Sequence, residues 1–237
     1  KNMIKSHTGL SEKIAMIYFT SGTTSGVNKG VLQTFGNLEF TKNNILRKTK
    51  ITNEVFELVC TPIFNAYWFG RLNSIFSVGG TAVLFNHSFN PITFFTYISK
   101  FKINAISGDT AIYLILLKYF KANLLKISHK ILWIKIASQK MPLEKKKEIM
   151  KVFPNTRIIM GYGLTEAMRT TLLSFFDEKK YLASEGKPVK DIHLKILDNK
   201  NKKVGVNKVG HVLIKGDHVA SGYLQKKKLW ESKIYDG

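Results

Sequence analysis

Three stretches of the chain carry residue types that chemistry can use. Residues 18–30 read Tyr-Phe-Thr-Ser-Gly-Thr-Thr-Ser-Gly-Val-Asn-Lys-Gly, a strand-like start that runs into hydroxyls, glycines and one lysine. Glycines let backbone N–H groups turn inward, hydroxyls add donors and acceptors, and Lys29 supplies positive charge, so the loop suits a polyphosphate. The plainer alternative is a surface turn. It is not a Walker A loop, because Lys29 precedes Gly30 and no Ser or Thr follows the lysine. Residues 160–166, Met-Gly-Tyr-Gly-Leu-Thr-Glu, set an aromatic between glycines ahead of a hydroxyl and a carboxylate. Read alone, Tyr162 is a core aromatic and Glu166 a helix-start carboxylate. Residues 210–223, Gly-His-Val-Leu-Ile-Lys-Gly-Asp-His-Val-Ala-Ser-Gly-Tyr, read as a strand, two tight turns and a packing tyrosine. His7, His87, His129, His193, His211 and His218 show no paired metal-ligand spacing, and Cys60, the single cysteine, has neither a second thiol nor a neighbouring histidine. Neither a structural zinc, a thiolate nucleophile nor an internal disulfide is expected.

The elements that must position these stretches follow an α/β pattern. Short runs rich in Ile, Val and Tyr predict strands at 14–19, 56–61, 81–85, 103–106, 131–137 and 157–161, and amphipathic stretches predict helices at 38–48, 67–78, 91–101, 111–120 and 143–152. Strand-helix-strand order implies layered, mostly parallel sheets with flanking helices. After Ser174 the texture changes. Strands at 192–197 and 211–214, divided by the turn-like Asp198-Asn199-Lys200-Asn201, predict a smaller antiparallel β unit. The expected division is therefore 1–174 for an α/β core and 175–237 for a β-rich unit, with no repeat and no Pro- or Ser-rich linker.

At 237 residues, 44% hydrophobic and 22% charged, the chain has globular composition and disorder is excluded as the whole account. The longest strongly apolar run, 111–117, is far shorter than the roughly 18 residues of a membrane span. No signal-peptide run opens the sequence, and with one cysteine the cytoplasm is the default compartment. A net charge of +21 raises a polyanion or membrane-surface hypothesis. Yet only four of the 37 basic residues are arginines (Arg47, Arg71, Arg157, Arg169), whereas readers of phosphates and bases favour the arginine fork. No specific nucleic-acid partner is expected, and the lysines read as a solvated basic face.

With its order of residues kept, the 18–30 loop resembles the phosphate loop of the adenylate-forming superfamily, which includes acyl- and aryl-CoA ligases, luciferases and peptide-synthetase adenylation domains. The usual form there is Thr-Ser-Gly-Thr-Thr-Gly-x-Pro-Lys-Gly. Thr20, Ser21, Gly22, Thr23, Thr24, Gly26, Lys29 and Gly30 match, with one residue added and Asn28 in place of proline. Residues 160–166 resemble the Gly-Tyr-Gly-x-Thr-Glu motif, residues 210–223 resemble Gly-Glu-Leu-x-Ile-x-Gly-x-x-Val-x-x-Gly-Tyr, and residues 184–189 resemble the Gly-x-Pro turn that precedes it. The four matches run in order along nearly the whole chain. The resemblance implies that Thr20, Ser21, Gly22, Thr23, Thr24, Gly26 and Lys29 hold phosphates, and that Gly161 and Gly163 leave room for nucleotide and acyl chain. It also implies that Tyr162 lies against adenine, that Thr165 hydrogen-bonds the α-phosphate and that Glu166 holds magnesium.

Residues 137–143, Ala-Ser-Gln-Lys-Met-Pro-Leu, take the place of an adenine-edge loop that usually reads Ser-Gly-Gly-Ala-Pro, which assigns Gln139, Lys140 and Met141 to the nucleotide through backbone contacts. The stretch 61–67 matches a Pro-x-x-His motif and puts Asn65 where many ligases have histidine. Asn65 and Tyr67 are thereby assigned to the acyl substrate, although Tyr67-Trp68-Phe69 also reads as the apolar face of a helix. Arg169 either reaches the nucleotide or caps a helix end.

The activity so implied is ATP- and magnesium-dependent adenylation of a small-molecule carboxylate with release of pyrophosphate, then thioester formation with CoA or a carrier-protein thiol. Thr20, Lys29, Thr165 and Glu166 are its expected catalytic residues. The chain ends before the family's ribose-binding aspartate, hinge and lysine-bearing C-terminal domain, so it reads as a central segment that does not complete the cycle alone. The alternative is a lysine-rich polyanion or membrane-surface binding protein, or an inactive remnant, with inherited loops. The acid and the oligomeric state are not read from these residues.

Overall fold

A computed structural model describes residues 11–20, 28–62, 64, 66–85 and 88–235. The first strands, β1 (Ile14–Thr20) and β2 (Lys29–Thr34), form an antiparallel pair on either side of the phosphate-loop motif, with Thr20 opposite Lys29. Helix α1 (Phe35–Thr49) starts at Thr34, whose hydroxyl accepts from Asn37 N while the Asn37 side chain accepts from Thr34 N. This reciprocal cap satisfies two donors that a helix start otherwise leaves open. Then come β3 (Phe56–Val59), α2 (Ala66–Ser77), β4 (Thr81–Leu84), α3 (Pro91–Lys100), β5 (Ala105–Asp109), α4 (Thr110–Tyr119) and α5 (Lys121–Ile127). The order continues with β6 (Trp133–Ala137), α6 (Leu143–Val152), β7 (Arg157–Tyr162), β8 (Thr171–Ser174), β9 (Lys187–Pro188), β10 (His193–Leu197), β11 (His211–Lys215), β12 (Gly222–Tyr223) and α7 (Lys227–Glu231).

Seven strands make the main sheet in the order β4-β3-β5-β6-β7-β8-β9, parallel from β4 to β7 and antiparallel beyond. The fold is thus the layered, mostly parallel α/β arrangement expected, with two small antiparallel sheets. One joins β12 to β2 and β1, and the other is the β10–β11 hairpin. The hairpin's turn forms at Asp198, whose carboxylate accepts from the N–H groups of Lys200 and Lys202. Backbone pairing crosses position 174 through β9 on β8, β12 on β2 and the bridge between Ala167 and Val219.

The two faces of the main sheet differ. Leu58, Ile106, Ile134, Ile136, Ile158 and Met160 point to one face, where they pack against Phe94 and Ile98 of α3, Leu116 of α4, Leu124 of α5 and Ile149 of α6. Each fully buried side chain of this kind is worth about 1.5–3 kcal/mol. Glu57, Val59, Ala105, Ser107, Lys135, Ala137 and Gly161 alternate with these along the strands and so point to the other face, under α2.

Several elements depart from the expected bounds. The ladder with β6 carries β5 on to Asp109, because Ser107 and Asp109 keep pairing despite their polarity, and Asp109 then caps α4 through Ile112 N. Six elements not anticipated, β2, β8, β9, β12, α5 and α7, are short or polar and rest on pairing or packing with distant residues, so local periodicity carries little sign of them.

Candidate active site

A cavity of about 540 Å³ opens at the carboxyl ends of β6 and β7, the edge where parallel α/β sheets place their ligand sites. Its walls come from the start of α2 (Ala66, Tyr67), the loop after β6 (Ser138, Gln139, Lys140), the run 160–165, then Met168, Arg169 and Glu185. Seven of the residues singled out from sequence therefore meet here: Tyr67, Gln139, Lys140, Gly161, Tyr162, Gly163 and Thr165.

The backbone holds these walls in place. Ser138 has φ +79°, a left-handed conformation that glycine adopts without strain, so the loop keeps that turn with a side chain on it. Thr110 Oγ1 donates to Gln139 O at 2.6 Å. Met141, 1% exposed, sits in the apolar core and anchors the loop from below, outside the lining of this cavity. After β7 the chain closes a tight turn, with Leu164 N donating to Ala167 O at 3.0 Å and Ala167 N to Leu164 O at 3.1 Å. A Cβ at Gly163 would lie 2.6 Å from Arg169 N and 2.7 Å from Ala167 O, so no side chain fits there. Gln33 of β2, fully buried, donates to Thr165 O at 2.9 Å and ties the turn to the small sheet.

Glu166 stands outside this cavity and faces the small sheet. Its backbone O accepts from Ala220 N at 2.8 Å, and its Oε1 accepts from Tyr223 OH at 2.7 Å. Lys29 Nζ lies 5.6 Å from the centre of the Tyr223 ring, and Trp230 packs edge-on against that ring at 5.1 Å. Tyr223 thereby links Lys29 to Glu166. Burial, and then the Glu166 carboxylate, raise its phenol above the ordinary range. Thr20 ends β1 half-buried, directly across from Lys29. Ser21, Gly22, Thr23, Thr24, Gly26 and Asn65 lie outside the described residues.

Under the cavity is a polar layer that the motifs did not announce. The Tyr67 OH donates to Ile136 O at 3.2 Å, and burial pushes its phenol up to about 12 although Arg169 opposes the shift. The Arg169 guanidinium lies 3.6 Å over the Tyr67 ring and donates to Tyr67 O. Arg71 of α2 makes a two-point ion pair with Glu57 of β3, both 1% exposed. Lys135 is buried in the middle of β6. Its signal was present, since a lysine inside the run Trp-Ile-Lys-Ile-Ala contradicts a strand covered on both faces. Tyr223 gave no comparable sign, because its link to Glu166 spans 57 positions.

Comparison with known proteins agrees with this geometry. The family model of AMP-binding enzymes matches residues 4–224. A 2-succinylbenzoate–CoA ligase of Enterococcus faecalis is 28% identical over 221 residues, which is 92% of this chain and 44% of that protein. The solved o-succinylbenzoate coenzyme A synthetase of Bacillus subtilis in complex with AMP superposes with a TM-score of 0.81 at 25% identity, over 96% of this chain and 46% of that one. The same enzyme in complex with ATP and magnesium gives 0.80 at 25% identity, over 94% and 46%. The chain spans less than half the length of these relatives.

Proposed function

Because the chain belongs to the AMP-binding enzyme family, we propose that it forms the nucleotide and acyl site of a ligase that activates a carboxylic acid as its acyl-adenylate. The observation that carries this reading is the convergence of Tyr67, Gln139, Lys140, Gly161, Tyr162, Gly163 and Thr165 on one cavity at the carboxyl ends of β6 and β7. The ligand complexes of its relatives, with AMP and with ATP and magnesium, point the same way.

In this reading the acid's oxygen attacks the α-phosphorus of ATP and pyrophosphate leaves. Two anions must meet, so the work is electrostatic and positional. Tyr162 lies against adenine, whose edge meets the backbone of Gln139 and Lys140. Thr165 donates to the α-phosphate. Thr20, Ser21, Gly22, Thr23, Thr24 and Gly26 hold the outer phosphates with the charge of Lys29, which Tyr223 positions beside Glu166. Tyr67 and Asn65 face the acyl group.

The Glu166 carboxylate fits a magnesium ion bound together with the phosphates, since Tyr223 takes its Oε1 and Oε2 has no hydrogen-bond partner among the described residues. Among the described residues no group of three or more His, Cys, Asp or Glu stands together, so a cation here would share the phosphate oxygens, as magnesium commonly does. When bound it would neutralise phosphate charge. The adenylate then passes to CoA or a carrier-protein thiol, and we place the reaction in the cytoplasm. Among the described residues no helix is long and apolar enough to cross a membrane.

The test is carboxylate-dependent exchange between ATP and pyrophosphate in the longest native protein that carries this sequence. Glu166→Ala and Lys29→Ala are each expected to slow exchange by about 100-fold, the cost of one transition-state contact to a developing charge. Unchanged exchange in both would sink the assignment.

A further inference from the structure

The α2 side of the main sheet holds more positive charge than the adenylation chemistry uses. Arg71, Lys135 and Arg169 are each at most 2% exposed, and Glu57 is the one buried carboxylate among the described residues. Glu57 takes Arg71, so Lys135 and Arg169 have no acidic partner there. Lys135 Nζ, Arg169 Nε and Nη1, Arg71 Nη1 and Ser107 Oγ are all buried without a hydrogen-bond partner among the described residues. Interiors leave few such atoms, and each costs free energy unless something meets it.

Of these groups Arg169 lines the cavity and Lys135 lies beside its wall. Gly161 has no side chain, and the point where its Cβ would stand lies 3.2 Å from Lys135 Nζ and 3.3 Å from Tyr67 Oη. Gly161, Tyr67 and Arg169 all line the cavity. Lys135 thus reaches the cavity wall from behind Gly161, and Arg169 reaches it across the Tyr67 ring. The one carboxylate in the lining, Glu185, lies 3.8 Å from Lys146.

We infer that the acyl end of the cavity takes an acid bearing a second carboxylate, which Lys135 and Arg169 receive while the first carboxylate meets the nucleotide. This inference rests on the adenylation reading and narrows its substrate to dicarboxylic acids. A plain fatty or aryl acid would leave Lys135 Nζ and Arg169 Nε and Nη1 unmet, whereas a carboxylate supplies acceptors and the missing negative charge. Burial, then Arg169 and Arg71, push the Lys135 ammonium well below its ordinary range, and burial lowers Arg169 to about 10. An entering carboxylate opposes both shifts and favours the charged forms.

The test uses acyl-sulfamoyl adenosines, which hold the acyl group and the nucleoside together but cannot turn over. Succinyl, glutaryl and adipoyl conjugates are titrated calorimetrically into the chain beside the butanoyl, pentanoyl and hexanoyl conjugates, with AMP as the common reference. At least one dicarboxylic conjugate is expected to bind about tenfold more tightly than its monocarboxylic counterpart, and Lys135→Met is expected to abolish that ratio. The first comparison needs no variant, and circular dichroism verifies the fold of the second. Equal or tighter binding of the monocarboxylic member at every length, or an unchanged ratio in folded Lys135→Met, overturns the inference while AMP binding leaves the adenylation reading standing. Failure of AMP and every conjugate to bind overturns that reading and the inference with it.

Discussion

The two faces of the seven-stranded sheet are built from alternate residues of the same strands, yet one is apolar and the other mixes charged side chains with a smaller apolar cluster. In β3, Leu58 enters an apolar core while its neighbour Glu57 meets Arg71 of α2. In β6, Ile134 and Ile136 enter that core while Lys135 between them has no hydrogen-bond partner among the described residues. In β7, Ile158 and Met160 pack while Gly161, with no side chain, lets Lys135 and Tyr67 come close to the cavity wall. The contrast teaches a division of labour. One face is held by apolar burial alone, and the other sets beside its apolar cluster unmet polar atoms that a ligand can satisfy.

The largest expected effect breaks the one completed ion pair of the polar face. Glu57→Ala leaves Arg71 charged and enclosed, and urea unfolding should show a loss of about 3–5 kcal/mol. A loss below about 1 kcal/mol would mean that the pair is relieved elsewhere and the face is less enclosed than it looks. Leu116→Ala, on the apolar face, should cost about 2–5 kcal/mol through the cavity it leaves. It should not alter the ratio between dicarboxylic and monocarboxylic conjugates, and a change in that ratio would blur the division between faces. The smallest effect has the opposite sign. Lys135→Met keeps the length of the side chain and removes an unmet ammonium, so stability should rise by about 1–3 kcal/mol, read as a higher unfolding midpoint in urea. A fall in stability would show that Lys135 holds the fold rather than a ligand.

The apolar face was the more legible in sequence. Runs such as 131–137 and 157–161 announced buried strands, Pro91 marked the first turn of α3, and the predicted helix 143–152 is α6 as observed. The loop residues of the site were also legible, since Gly161, Tyr162, Gly163 and Thr165 form a local motif whose members line one cavity. The polar layer was not. The meaning of Lys135 depends on Tyr67 and Arg169, which reach it from other elements of the fold, and no local period reports such a meeting. Arg169, for which the sequence allows nucleotide contact or a helix cap, lies over Tyr67 with φ +60° and lines the cavity. Tyr223 read as a packing residue. It does pack against Trp230, but its hydroxyl also holds Glu166.

Hydrogen–deuterium exchange of the chain with and without saturating magnesium and ATP tests most directly the claim that the site lies on the polar side, at the carboxyl ends of β6 and β7. The account predicts protection concentrated in residues 138–140 and 161–166 and surviving high salt, because the contacts are enclosed. No protection in those segments, or a diffuse protection over the lysines at 145–147 and 226–228 that fades as salt rises, would contradict it and favour a basic surface that merely attracts anions.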